Sequence, residues 1–233
     1  MRRSLWLAAV CLAGFGLSWA YLHYYLRGGP RIIDATSYFL EARSIAAGSF
    51  QFSVPDPTGS FRGRFLLAGE GGHALGVIFP PGYPLVLALG FWLGKPLLIG
   101  PILGALLVGA TYFLARTLTG REDVARLAAL LSVVTAALRY HTADTMSHGL
   151  SAVLLSAALA FSLERTRRSA PALCGLCLGL LLATRPVSGA VAVVLCAVAL
   201  WSVRPRGWEA KVEGVPVTLE VRTPAGMVCS SVD

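Results

Sequence analysis

The chain has 233 residues, 55% of them apolar and only 14% charged, with a mean hydropathy of +0.67. An average soluble domain is about a quarter charged, so this composition points to a polytopic membrane protein. The net charge of +8 does not mark a nucleic-acid binder, because the arginines cluster at the ends of apolar runs and no aromatic-interleaved basic patch accompanies them.

Residues 4–26 form the first apolar run, preceded by Arg2 and Arg3 and closed by Tyr21, Tyr24, Tyr25 and Arg27. At about 20 residues or more the run is long enough to cross a bilayer, and it lacks a convincing small-x-small cleavage site. We expect a retained transmembrane helix with an aromatic belt at its far end. Arg2 and Arg3 place its N-terminus in the cytoplasm, so residues 28–96 form an outer loop.

That loop has three parts. Residues 34–48 predict an amphipathic helix with Tyr38, Ala42 and Ile45 on one face, stopped by Gly48. Asp34 is expected as its N-cap. Glu41 falls on roughly the same face, but beside Arg43 a solvated position is expected. Residues 49–78, rich in Gly, Ser and Pro, predict an irregular loop. Residues 83–94 are apolar but short. Roughly 12 residues cover only about 18 Å of a 30 Å hydrocarbon core. They predict a juxtamembrane helix at the interface, ended by Gly94, Lys95 and Pro96.

Spans are then expected over 97–115, 124–140 and 146–163. The run 171–203 is too long for one crossing, and Thr184-Arg185-Pro186 divides it into helices 171–185 and 187–203. The fold class expected is thus an all-α membrane protein of about six transmembrane helices, with a long first outer loop (28–96) carrying two juxtamembrane helices. This parity gathers Arg2, Arg3, Arg116, Arg121, Arg165, Arg167, Arg168, Arg204 and Arg206 on one side, in keeping with the positive-inside tendency. Residues 1–203 form the membrane module. Residues 204–233 form a short cytoplasmic tail of low order, with a weakly alternating, hairpin-like stretch at Lys211–Arg222.

Several residues could carry chemistry. Asp34 can cap a helix and still present a carboxylate at the membrane surface. Asp144, between the third and fourth spans, can cap the fourth helix or face Asp34 across a cavity. Arg185 interrupts an apolar run with no acidic neighbour in sequence. A guanidinium there can take phosphate oxygens in bidentate geometry or snorkel to lipid headgroups. Arg139, Lys95 and Arg64 are further candidates for the same job. His73, His141 and His148 have no metal-ligand spacing, and the lone pair Cys174 and Cys177 sits among apolar residues, where packing is the expected role. Neither a metal nor a cofactor is expected.

The motifs, taken in order, resemble those of the integral-membrane glycosyltransferases of the GT-C fold, in particular dolichyl-phosphate-mannose-type and aminoarabinose-transferase-like proteins. Asp34-x-x-x-Tyr38-x-x-x-Ala42-x-x-x-Ala46-x-Gly48 is similar to that family's first outer loop. Phe79-Pro-Pro-Gly-Tyr83-Pro84 resembles its second juxtamembrane segment. Tyr112 to Arg121 resembles the cytoplasmic end of its second span, and Leu181 to Pro186 the outer end of its fifth. The resemblance covers about residues 5–203. It implies transfer of a sugar from a polyprenyl-phosphate carrier to an acceptor at the outer face of the inner (plasma) membrane, with inversion. Asp34 would be the general base. Arg185, helped by Lys95 or Arg139, would neutralise the lipid phosphate, with Tyr38 and Asp144 lining the site. The departures are Ala35, where many relatives have a second acid, and fewer spans than relatives carry. They imply an alternative, a non-catalytic remnant or one subunit of a split transferase whose missing spans come from a second polypeptide.

Overall fold

The computed structural model describes residues 2–53, 65–69, 74–164, 166–202, 221–223 and 226–228. The chain divides into two units, residues 1–203 and 204–233. The first holds nine α-helices among the described residues. They are α1 (Arg2–Tyr24), α2 (Ile33–Ala46), α3 (Gly82–Trp92), α4 (Ile99–Thr119), α5 (Glu122–Val134), α6 (Ala136–Ala143), α7 (Ser147–Leu163), α8 (Ala170–Thr184) and α9 (Pro186–Ser202).

Two of these, α1 and α4, are long and apolar enough to cross a membrane; the bent pair α5–α6 would make a third if counted as one span. The helices α7, α8 and α9 are apolar but shorter. The structure therefore marks fewer full-length spans than the six expected. It also breaks the stretch expected as one span over 124–140: α5 and α6 meet at Thr135 with a 62° bend. The Thr135 hydroxyl donates to the Leu131 carbonyl at 2.6 Å, and Arg139 Nη1 donates to the carbonyls of Val133 and Val134 at 3.3 and 3.1 Å. These bonds satisfy carbonyls that a helix leaves open at its C-terminus, so the bend is a built terminus. The break at Pro186 falls where expected, because proline cannot continue the preceding helix.

One end of the bundle is fixed by charge. Tyr112 near the end of α4 donates to both oxygens of Glu122 at 2.8 and 2.9 Å. Arg126 donates to the same carboxylate at 3.0 Å and lies over the Trp6 ring of α1 at 5.3 Å. The start of α1, the end of α4 and the start of α5 thus share this end. At the other end Leu22 and Leu26 pack with Ala143 and Leu97. Between the ends α1 and α4 meet through small residues, a Cβ on Gly104 lying 3.2 Å from Ser18 Cβ and 3.3 Å from the Gly14 carbonyl oxygen. The helix α6 closes on both: the Ser18 and Thr142 hydroxyls lie 2.9 Å apart, and a Cβ on Gly100 would collide with the Thr142 carbonyl oxygen. Small residues are what let membrane helices approach this closely.

The segment between α1 and α4 forms its own layer. The helix α2 starts at Ile33, with Ile32 as N-cap and no side-chain capping bond. Asp34 is therefore within the first turn and is not the cap, although a carboxylate there still suits the helix dipole. Its apolar face carries Tyr38 and Ala42, and Phe39 meets Phe91 of α3 at 4.9 Å. Trp92 Nε1 at the end of α3 donates to the Ala46 carbonyl at the end of α2, 3.0 Å away.

Glu41 departs from the solvated position expected of it: only 4% of it is exposed. The region expected as irregular loop contains an antiparallel three-stranded sheet in the order β1 (Gln51–Ser53), β3 (Ala74–Val77), β2 (Leu66–Ala68). Strand pairing wins over the glycine content because Leu75 on the central strand is fully buried beneath the layer. Arg64 and His73 lie outside the described residues.

In the second unit, β4 (Val221–Thr223) pairs antiparallel with β5 (Gly226–Val228), Arg222 facing Met227. Residues 211–220 of the expected hairpin stretch lie outside the described residues.

Candidate functional site

Three helix junctions meet at the end of the bundle that carries α2 and α3. The first is the start of α2, with Asp34 and Tyr38. The second is the α6–α7 junction, with Asp144, Thr145, Ser147 and His148. The third is the α8–α9 junction, with Thr184 and Arg185.

The first two are joined by direct bonds. The Tyr38 hydroxyl donates to Ser147 Oγ at 3.1 Å, and the Thr145 hydroxyl donates to the Ala35 carbonyl at 2.8 Å. Tyr38 is held by rings on two sides, stacked on Phe79 at 4.5 Å and edge-on to Tyr83 at 5.4 Å. Burial pushes its phenol up from the ordinary value. The third junction is joined through α3. A Cβ on Gly82 would lie 2.6 Å from Thr184 Oγ1 and 2.7 Å from the Ala183 carbonyl oxygen, so only glycine lets α3 sit against the end of α8.

This packing decides where the charges fall. Asp34 and Arg185 are both half-buried. Both lie within electrostatic reach of Tyr38 and of His148. Yet among the described residues neither forms an ion pair or a side-chain hydrogen bond with the other or with a third group. Among the described residues an unpaired acid and an unpaired guanidinium thus both reach one tyrosine. Direct pairing would stabilise both charges, so their separation leaves each with unused hydrogen-bonding capacity.

Asp144 is almost wholly buried. It terminates α6 and does not cap α7, whose N-cap is Met146. Its Oδ1 accepts the Thr145 amide at 2.9 Å, while Oδ2 is buried without a hydrogen bond. Burial pushes this carboxyl up, against the pull of the Thr145 and Arg31 amides. Asp144 also reaches Tyr83 electrostatically.

Two other candidates are placed elsewhere. Lys95 is exposed after the far end of α3, roughly 16 Å along that helix from Gly82. Arg139 commits Nη1 to the end of α5.

Glu41 and His148 were missed as site residues by sequence reasoning. Glu41 lies one helical turn from Tyr38 on the buried face of α2, and its Oε2 is buried with no partner. Burial alone pushes its carboxyl up to about 7. The seven-residue spacing from Asp34 was the available signal, and the neighbouring Arg43 hid it. His148 lacked metal-ligand spacing, and Asp34 and Arg185, the charges that reach it, are far away in sequence. Among the described residues no three His, Cys, Asp or Glu side chains gather in a way that could hold a metal.

No protein-family model, curated protein or solved structure matches this chain. The reading of its function therefore rests on the geometry and on the resemblance of its motifs.

Proposed function

We propose that this chain transfers a sugar from a polyprenyl-phosphate carrier to an acceptor at the outer face of the inner membrane, with inversion. The observation that carries the reading is a pair of opposite charges, Asp34 and Arg185, unpaired among the described residues and both within electrostatic reach of Tyr38. In this reaction the acceptor hydroxyl gives its proton to the Asp34 carboxylate as its oxygen attacks the anomeric carbon. The bond from that carbon to the phosphate oxygen breaks, and the electron pair leaves on the lipid phosphate. Arg185 neutralises that charge through its planar fork of donors. Tyr38 and the buried Asp144 support the walls of the site.

The layout that serves this reaction has six crossings, α1, α4, α5–α6, α7, α8 and α9, with the N-terminus in the cytoplasm. Three features support it. The ends of α1, α4 and α5 alternate between the two ends of the bundle. The arginine-rich connections then share the cytoplasmic side. The layer of α2 and α3 stays outside.

The test is transfer of labelled sugar by the purified full chain, using polyprenyl-phosphate sugars as donors. Asp34→Asn should lower turnover by about 10²–10⁴ while leaving the fold intact. Unchanged turnover in an active preparation would remove Asp34 from the chemistry.

A second reading, a non-catalytic part of a larger membrane assembly, is favoured by one observation. The helix α9 packs through Ala192 and Cys196 but exposes Val187, Val191, Val194, Val198 and Trp201, a face that helices of a second polypeptide could cover.

A further inference from the structure

A groove of about 420 Å³ lies between α4, the α5–α6 bend and α7 and shares His148 with the Asp34–Arg185 cluster. Its walls are mostly apolar and include His141 and His148, whose rings stack with centroids 4.8 Å apart and planes 23° from parallel. Nδ1 of each ring is buried without a partner. A neutral imidazole has one donor nitrogen and one acceptor nitrogen. Nε2 of each ring also has no bonding partner among the described residues, but it is not one of the buried orphan atoms. The favourable tautomer puts the proton on Nε2, where an incoming group can meet it, because an N–H sealed at Nδ1 would bear the full desolvation cost.

The remaining polar groups in the walls cannot donate. Thr111, Ser132 and Thr135 give their hydroxyl protons to carbonyls of their own helices, at 2.8, 2.7 and 2.6 Å. Among the described residues no Lys, Arg, Asp or Glu lines the groove. Its recognition chemistry is therefore a largely apolar channel whose donors are the two imidazole N–H groups, the three hydroxyl oxygens being left only as acceptors.

We propose that this groove binds a neutral long-chain lipid of the bilayer, its head accepting hydrogen bonds from Nε2 of His141 and His148. The occupant follows from three features. The groove is walled by α4 and the α5–α6 pair, the helices long and apolar enough to cross a membrane. These same helices expose Leu106, Phe113 and Leu131, side chains that lipid would cover, so the nearest ligand supply is the hydrocarbon phase itself. A carboxylate or phosphate head would meet no cation among the lining residues, the charge of Arg185 that reaches His148 being opposed there by that of Asp34, and a cationic head would meet N–H donors. The inference does not depend on sugar transfer.

The test uses the full chain in phosphatidylcholine vesicles and hexadecanol carrying a photoreactive diazirine, with labelled peptides mapped by mass spectrometry. Labelling should concentrate on α4, α6 and α7 around Thr111, Leu138 and Ala152. Ala152→Trp, which fills the groove, should lower it about tenfold, the change expected for roughly 1.4 kcal/mol of lost binding. The milder Ala152→Leu should lower it less. Labelling of the exposed α9 positions Val191 and Val194 is the internal control for fold and should not change. His141→Ala with His148→Ala should remove the preference for hexadecanol over a diazirine-bearing alkane. Groove labelling no denser than that of α9, or unmoved by both Ala152 variants, would overturn the proposal. Stronger labelling by a diazirine-bearing fatty acid than by the alcohol would overturn the neutral head.

Discussion

The Tyr38 hydroxyl donates to Ser147 Oγ at 3.1 Å, joining the first turns of α2 to the first residue of α7 across 109 positions of sequence. That bond, together with the Phe79 and Tyr83 rings around Tyr38, fixes where Asp34 stands relative to the α6–α7 junction. Tyr38→Phe keeps the ring packing and removes the bond. It should cost about 1 kcal/mol, whereas Tyr38→Ala should cost about 3–5 kcal/mol. Thermal unfolding in detergent measures both, and equal costs would show that the hydroxyl contributes nothing separate from the ring.

Glu41 should make stability fall with rising pH. Its carboxyl is pushed up to about 7 in the folded chain from an ordinary 4.5, so the folded state holds its proton more tightly than the unfolded state. The difference is absent below about pH 4.5, grows as pH rises toward 7 and then levels off, destabilising by on the order of 2–3 kcal/mol. Asp144 is shifted in the same direction, so the comparison must be with Glu41→Gln. That variant should show a shallower slope and greater stability above pH 7. Identical slopes for the two chains would remove Glu41 as the source.

Gly82→Ala should be destabilising out of proportion to one methyl group. The added carbon would meet Thr184 Oγ1 at 2.6 Å and the Ala183 carbonyl at 2.7 Å, and backbone cannot swing aside as a long side chain can. The cost should be about 1–3 kcal/mol, the range for overpacking. Gly175→Ala, where a Cβ meets nothing within 4 Å, is the control and should leave stability unchanged or slightly raised. A harmless Gly82→Ala would mean that α3 and α8 can part without loss.

Arg185 and Arg139 should respond differently to removal. Arg139 holds the end of α5, so Arg139→Ala should cost about 1 kcal/mol of stability through lost capping and leave donor affinity unchanged. Arg185 has no such bond, so Arg185→Ala should leave the unfolding midpoint within about 0.5 kcal/mol and weaken binding of polyprenyl phosphate. Calorimetric titration with polyprenyl phosphate separates the two. Weaker binding only in the Arg139 variant would reverse the assignment.

The ends of α4 should be reachable from opposite sides of a vesicle. Its 21 residues span about 32 Å. Lys95 precedes it and Thr119 ends it, both exposed. Lys95→Cys and Thr119→Cys, introduced separately, should react with a membrane-impermeant maleimide from opposite faces. Labelling of both from one face would remove α4 as a crossing.

The sequence by itself determined the apolar runs, the short reach of the 83–94 helix and the break at Pro186. These are local properties: length against bilayer thickness, and the missing amide of proline, are written in consecutive residues. It also singled out Asp34, at the head of a helical pattern, and Arg185, a charge with no acidic neighbour in sequence. Only the tertiary structure decided that those two stand near the same tyrosine, that Glu41 is buried, and that the span expected over 124–140 bends at Thr135. The expectation for Glu41 failed because adjacency to Arg43 predicts solvent only when the helix face is free, and the α2 face that Glu41 shares is buried. The bend was hidden because Arg139, which satisfies the open carbonyls of Val133 and Val134, looked in sequence like one more charge at a membrane boundary. Contacts such as Tyr38 with Ser147, or His141 with His148 across a helix junction, depend on how helices pack, and packing has no period that a single run of residues can display.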